Sequence, residues 1–462
     1  MRNRTSVSGT WILASLLVIA AFMGGARLRD MQAAPEPLGT SVQANAILKL
    51  TPEWSPTTLA SAPETVSANR ELVSTVIKML KAHYVEPITS EKETTLARGA
   101  VRGMLDSLKD PDSRFLDPTE RKLLDNVGSG RFEGIGAVMA LREEKIGDLD
   151  VTKLLVVAPM PGSPAQKAGI QSGDSITYVD NKWIVTHDPF KKVNLDKLAK
   201  AVRNKEVDEL TYQKTYKAAL KKLKEGLTVM DALEILTAKT SGLIALKLDR
   251  PGVDKPIEVK VQCGNTRVDP VTSSSPKPGI ACIRISQFNP RAVKEFDSEL
   301  KRALAAHAKG LILDLRDNPG GLIDSATGIA SRITGGGVMA NVENNSGRQV
   351  LRAPRENALK LPVAVLVNSG TASVSELVAG TLRDRSNAVI VGTKTFGDGL
   401  IQTPLLLKDG SAAVLTTGKM LTAKGLDFDR KGIQPDDYIK QIKADSQLDK
   451  AVKVLQAKIG KA

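Results

Sequence analysis

The sequence predicts a multidomain α/β protein: an amino-terminal helical segment, a β-rich middle segment interrupted by a helical insertion, and a carboxyl-terminal α/β-sheet core. Three observations predict it. The chain of 462 residues is too long for one hydrophobic core and suggests two or three domains. Apolar residues recur at helical spacing over residues 67–124. Beyond residue 279, short apolar runs alternate with helical patterns, as a sheet covered by helices requires. With 42% hydrophobic and 25% charged residues, the composition excludes a disordered chain. No fixed-period repeat is visible, which argues against a solenoid.

The first element, residues 1–33, reads as an export signal. Arg2 and Arg4 precede an uncharged apolar run over residues 11–26, and Arg27, Arg29 and Asp30 end it. The run is slightly short for a membrane span, and Ala33 and Ala34 offer a small-residue context for cleavage, so a signal peptide and a retained anchor both fit. Either makes the protein exported, periplasmic or held at the outer side of a membrane. Residues 34–66 follow as a linker punctuated by Pro35, Pro37, Pro52, Pro56 and Pro63.

Residues 67–128 predict an amino-terminal helical domain, with Leu72, Val76, Ile77 and Leu80 on one stripe and Val101, Met104, Leu105 and Leu108 on another. The turn-rich Asp110-Pro111-Asp112-Ser113 breaks the pattern, because helix does not continue easily through proline.

Residues 129–265 open with Phe132-Glu133-Gly134-Ile135-Gly136. Further on comes Ser163-Pro164-Ala165-Gln166-Lys167-Ala168-Gly169-Ile170-Gln171-Ser172-Gly173-Asp174. The first glycines allow a tight loop whose backbone N–H groups cradle a carboxylate, and the second run is a short helix capped by glycine that leads into a strand. In this order the two runs resemble a PDZ domain. The resemblance implies capture of a free chain terminus by Gly134, Ile135 and Gly136, with the bound peptide adding a strand to the sheet edge.

The PDZ pattern is interrupted at about residues 187–226. Leu195, Leu198 and Val202, then Tyr216, Leu220 and Leu223, keep helical spacing and predict a helical hairpin. From Pro189 to Lys224 ten lysines and one arginine face four acidic residues, so this stretch supplies half of the formal charge of +14. A solvated face is the plain explanation. Contact with an anionic membrane surface is the sharper one. Nucleic acid is not expected, since only Tyr212 and Tyr216 are interleaved with the lysines as stacking aromatics. The pattern resumes with a helix near residues 229–236 and strands at 243–248 and 257–261.

Residues 266–462 form the α/β core, with strands at 280–285, 310–315 and 363–368 and helices at 292–306 and 374–382. Three runs in it could carry chemistry. Asp314-Leu315-Arg316-Asp317-Asn318-Pro319-Gly320-Gly321 ends a strand in a loop able to offer N–H groups. Asn368-Ser369-Gly370-Thr371-Ala372-Ser373-Val374-Ser375-Glu376 is a sharp turn entering a helix, which puts Ser373 where backbone amides and the helix dipole favour a developing oxyanion. Thr393-Lys394-Thr395-Phe396-Gly397-Asp398-Gly399-Leu400-Ile401-Gln402 is a strand end entering a glycine-flanked bend.

Together these runs resemble the carboxyl-terminal processing (tail-specific) serine peptidases, a resemblance extending from about residue 67 to the end of the chain. It implies Ser373 as nucleophile, with Ser375 the weaker alternative. It also implies oxyanion donors at Gly320 or Gly321 and at Val374, with Gln402 as support for a catalytic lysine. That lysine belongs to a Phe-Gly-Lys-Gly motif in the family, and here Asp398 occupies its place.

The exchange matters because a serine hydroxyl is a poor nucleophile until a base removes its proton, which a desolvated neutral lysine can do. An aspartate with a reference pKa of about 3.9 is a far weaker base unless burial raises it. Lys394, Lys419 and Lys424 are the candidates for a substitute. If the segment is extended, Lys394 and position 398 are about 13 Å apart along a strand. The expectation is a homologue that binds the carboxyl-terminal tails of exported proteins and cuts them weakly or not at all. An active endopeptidase with a substitute base and a membrane-side peptide-binding scaffold are the alternatives. No cofactor is expected. His83, His187 and His307 lack paired-ligand spacing, so no metal site is expected either. Cys263 and Cys282 could pair, with two buried thiols the plainer expectation. The oligomeric state is not legible.

Overall fold

A computed structural model describes residues 64–110, 112–147, 149–187, 189–190, 195–238, 241–440 and 445–460. The apolar run and nearly all of the proline-punctuated linker lie outside these residues. The chain divides into two units after Asp110. The boundary falls on the break that Asp110-Pro111 imposes, inside the helical domain expected for residues 67–128.

The first unit holds α1 (Glu64–His83) and α2 (Ser90–Asp106). The Thr89 side chain caps α2 by accepting from the Lys92 amide, and Glu91 and Glu93 complement the dipole in its first turn. The expected apolar stripes are only partly covered: Leu72, Val76, Met104 and Leu108 are exposed, whereas Ile77, Leu80, Val101 and Leu105 are half-buried.

The second unit begins with β1 (Arg114–Leu116) and α3 (Pro118–Gly128), the latter started by a reciprocal capping box between Asp117 and Glu120. After β2 (Arg131–Phe132) come β3 (Ala137–Ile146), β4 (Leu149–Pro159), α4 (Pro164–Lys167), β5 (Ser175–Val179) and β6 (Lys182–Trp183). The insertion follows as α5 (Leu195–Arg203) and α6 (Glu209–Glu225), then α7 (Val229–Ala238), β7 (Leu243–Asp249), β8 (Ile257–Gln262) and β9 (Thr266–Arg267). The antiparallel sheet runs β3-β4-β5-β7-β8, with β6 beside β5, and β2 pairs with β9. Alternation on β7 buries Ile244, Leu246 and Leu248 against Ala232 and Leu236 of α7. The expected helical hairpin is therefore present, set between β6 and α7.

The core is built on β10 (Val271–Lys277), β11 (Ile280–Ile285), α8 (Ala292–Ala305), β12 (Gly310–Asp314), α9 (Ile323–Thr334), β13 (Gly337–Asn344), β14 (Gly347–Ala353), β15 (Val363–Val367), α10 (Val374–Ser386) and β16 (Val389–Gly392). It is completed by β17 (Leu400–Leu406), β18 (Ala412–Leu421), β19 (Asp437–Tyr438) and α11 (Ser446–Ile459). The main sheet runs β10-β11-β12-β15-β16-β19, parallel from β11 onward. Every residue of β12 and β15 is buried, as a sheet covered on both faces demands. Phe296, Ile329 and Leu377 from α8, α9 and α10 cover one face. Ala451, Val452 and Leu455 of α11 cover the other.

A second antiparallel sheet, β1-β18-β13-β14 with β17 on β18, is absent from the expectations above. Gly418 and Lys419 on β18 and Asn344 at the end of β13 interrupt the alternation of its strands. Cys263 and Cys282 are not joined in a disulfide and are buried in separate clusters. Burial pushes the Cys282 thiol up to about 12, with Asp314 adding to the effect.

Candidate active site

Three neighbouring parallel strands, β12, β15 and β16, end at the same side of the sheet. The three runs singled out in the sequence are the loops that leave those carboxyl ends, the place where open α/β sheets put their sites. Adjacency in the sheet therefore joins residues more than fifty positions apart in the chain.

The loop after β15 is locked to the loop after β12. The Thr371 hydroxyl donates to the Leu315 carbonyl at 2.7 Å, and the Ala372 amide donates to the Asn318 carbonyl at 3.0 Å. Ser373 then starts α10 at φ +55°, ψ −125°, a region that non-glycine residues seldom occupy. Its side chain is half-buried, whereas Ser375, one turn edge further on, is fully buried. Of the two serines only Ser373 has a surface to offer a substrate.

Gly320 lies directly against Ser373: a Cβ at this position would stand 3.0 Å from the serine Cβ and 3.5 Å from the Val374 amide nitrogen. Its own N–H is already committed to the Asn318 side-chain oxygen at 2.9 Å. Gly321, at φ +134°, has no room for a side chain, since a Cβ would fall 2.2 Å from the Phe288 carbonyl. Between the two glycines, Gly321 is the one whose amide is not spent on Asn318.

Glu376, fully buried on α10, ties the third loop to this wall. One carboxylate oxygen accepts from the Ser373 amide at 3.0 Å and from the Asp398 amide at 2.8 Å. The other accepts from the Gly397 amide at 2.8 Å and from the Thr395 hydroxyl. Burial raises the Glu376 carboxyl to about 7, partly offset by these donors. Glu376 belongs to the run around Ser373, and the sequence alone assigns it no role. Its position three residues after Ser373 at a helix start is the signal for it.

Asp398 thus sits close to Ser373 through a shared acceptor. Burial raises its carboxyl to about 7, Asp112 and Asp429 add to the rise, and the Leu400 amide and Arg142 only partly oppose it. None of the three candidate lysines takes the missing place. The run 393–399 is an irregular loop rather than a strand, so the extended separation estimated from sequence does not apply, and Lys394 is exposed. Lys419 donates to Asp427 at 2.9 Å, and Lys424 is exposed. Among the described residues no lysine amine hydrogen-bonds the Ser373 hydroxyl. Gln402 is half-buried on β17 opposite Thr416, with no hydrogen bond to Ser373 or Asp398. Among the described residues no group of His, Cys, Asp or Glu is arranged to hold a metal ion.

The segment that carries the middle sheet reaches both walls. The Ser172 hydroxyl donates to Asp317 at 2.9 Å, and Asp317 is held in turn by the Asn368 side chain at 2.8 Å. Arg142 on β3 stacks over the Phe396 ring, 4.4 Å from its centroid. In the glycine loop the Ile135 amide donates to the Leu236 carbonyl at the end of α7, at 2.9 Å. That amide is occupied, so the three-residue cradle expected from sequence is not open throughout. β3 stands at the edge of its sheet.

Comparison with known proteins agrees with the arrangement. The profile of Peptidase family S41 matches residues 279–439, and that of the activating protease CtpB N-terminal domain matches residues 46–119. The carboxy-terminal processing protease CtpA of Bacillus subtilis (strain 168) is 32% identical over 370 residues, covering 80% of this chain and 67% of the relative. A probable CtpA-like serine protease of Staphylococcus aureus (strain bovine RF122 / ET3-1) is 33% identical over 381 residues, covering 81% of this chain and 65% of the relative. The chain thus spans about two thirds of these relatives. The solved structure of a photosystem II D1 C-terminal processing protease superposes with a TM-score of 0.61 at 24% identity, over 84% of this chain and 97% of that one, and shares the fold.

Proposed function

This chain belongs to peptidase family S41, and from that premise we propose that it is an exported protein that binds the carboxyl-terminal tails of other proteins and hydrolyses them weakly or not at all. The observation that carries the reading is a mismatch inside the site. Ser373 is presented on a strained turn at the start of α10, with the Gly321 and Val374 amides as the oxyanion donors this reading assigns. Position 398, where the family resemblance implies a lysine, holds a carboxyl group.

Tail binding is supported by the free edge of β3, along which a peptide can add as a strand. A tail carboxylate that takes the Ile135 amide displaces the Leu236 carbonyl from it. Export rests on the uncharged run at residues 11–26 and its arginine flanks.

A second reading has one observation in its favour. With its carboxyl raised to about 7, Asp398 has the proton affinity of a working base near neutral pH and is tied to Ser373 through Glu376. The two readings separate in one assay, in which an unfolded protein with an apolar carboxyl terminus is incubated with wild type and with Ser373→Ala, Asp398→Asn and Asp398→Lys variants. No cleavage by wild type with gain of cleavage in Asp398→Lys is the expected result. Wild-type cleavage lost in both Ser373→Ala and Asp398→Asn would establish Asp398 as the base and overturn the first reading.

A further inference from the structure

We propose that α6, the second helix of the insertion, is a docking surface for an anionic lipid bilayer. Lys214, Lys217, Lys221 and Lys224 recur at spacings of three, four and three, which places all four within about 80° of arc over about 15 Å of helix. All four are exposed. Among the described residues Lys221 alone of them has an ion-pair partner, Glu225 at 3.9 Å, with both side chains largely in solvent. Leu210 extends the same stripe by one turn towards the helix start and is 63% exposed, an apolar group suited to the headgroup boundary. The acids at that end are engaged locally. Asp208 caps the helix through Thr211, and Glu209 accepts from Gln213.

The opposite side of the hairpin fixes the stripe outward. Ala219 is buried, Lys222 lies 4.3 Å over the Trp183 ring, and Phe190, Tyr216 and Tyr212 pack in succession at 5.4 and 6.4 Å. This packing also chooses between partners. Single-stranded nucleic acid is held by aromatic faces on which bases stack, and here those faces are turned on one another. A bilayer needs only the cations, each worth roughly a fivefold gain in binding near an anionic surface. The apolar run at residues 11–26 puts a membrane-directed segment on the same chain. The surface acts whether or not the chain cuts peptides.

The test uses the full chain in vesicles, with amine acylation of the four lysines read by mass spectrometry and exposed Lys294 as internal reference. In phosphatidylcholine vesicles containing phosphatidylglycerol, labelling of the stripe falls at least about fivefold relative to phosphatidylcholine alone, and high salt restores it. In flotation, exchanging all four lysines for glutamate removes the added binding to anionic vesicles, whereas exchanging them for arginine keeps it. Equal labelling in the two vesicle types overturns the proposal, as does protection by a polynucleotide without protection by the anionic vesicles.

Discussion

The two walls of the site are built on different principles. On one side, Ser373, Gly320, Gly321 and Val374 are positioned by backbone: adjacent parallel strands, a turn locked by Thr371 and Asn318, and a helix start. On the other, the loop from Thr395 to Gly399 is held just as firmly by Glu376 and Asp429, yet the group it delivers is a side chain, the carboxyl of Asp398, rather than main chain. The fold guarantees whatever the main chain provides. It guarantees nothing about the one atom that has to accept a proton.

Breaking or restoring this asymmetry gives effects of graded size. The largest comes from supplying the amine. Asp398→Lys is expected to raise kcat/KM for tail cleavage by about 10³-fold or more, in line with the cost of deleting a base from a nucleophile–base unit. Steady-state hydrolysis with Ser373→Ala as blank measures it. Removing the tie between the walls comes next. Glu376→Ala leaves two backbone amides of the 395–399 loop, the Ser373 amide and a buried hydroxyl without their acceptor, and is expected to cost on the order of 3 kcal/mol in denaturant unfolding.

A smaller effect isolates the carboxyl of Asp398. Its pKa rises from an ordinary 3.8 to about 7 on folding, so the folded state holds the proton more tightly. Stability from this group is therefore present in acid and lost as pH rises through about 7. Asp398→Asn should flatten that part of the stability–pH curve and leave the variant more stable above neutrality, by on the order of 1–2 kcal/mol given partial solvent screening. The smallest effect touches the serine wall from outside. Ser172→Ala removes one hydrogen bond to Asp317 and should cost about 1 kcal/mol in thermal unfolding.

The parts of the fold legible in the sequence were those with strong periodic or punctuating signals. The buried runs of β12 and β15 and the largely apolar β11, broken only by Arg284, stand out in the sequence, and the insertion shows itself by its lysines and by helical spacing at Tyr216, Leu220 and Leu223. The sheet formed by β13, β14, β17 and β18 did not, because Gly418, Lys419 and the polar tip at Asn344 dilute its alternation. In the site, Ser373, the glycine loop and Asp398 were legible as motifs. Arg142, Asp112 and Asp429 were not, since each arrives from a distant segment and acts on position 398 only through folding. The occupied amide of Ile135 was equally invisible: a glycine pattern shows that a loop can turn, not what its N–H groups already bind.

The contact between Glu376 and position 398 is made by the main chain of residue 398. Every residue except proline owns that N–H, so the loop keeps its shape whichever side chain is written there. On the reading proposed above, gain and loss of the lysine amine are therefore one residue exchange apart, with the Glu376 contact to the main chain common to both. A site of this construction can retire from cutting, or return to it, while its grip on the surrounding protein stays as it was.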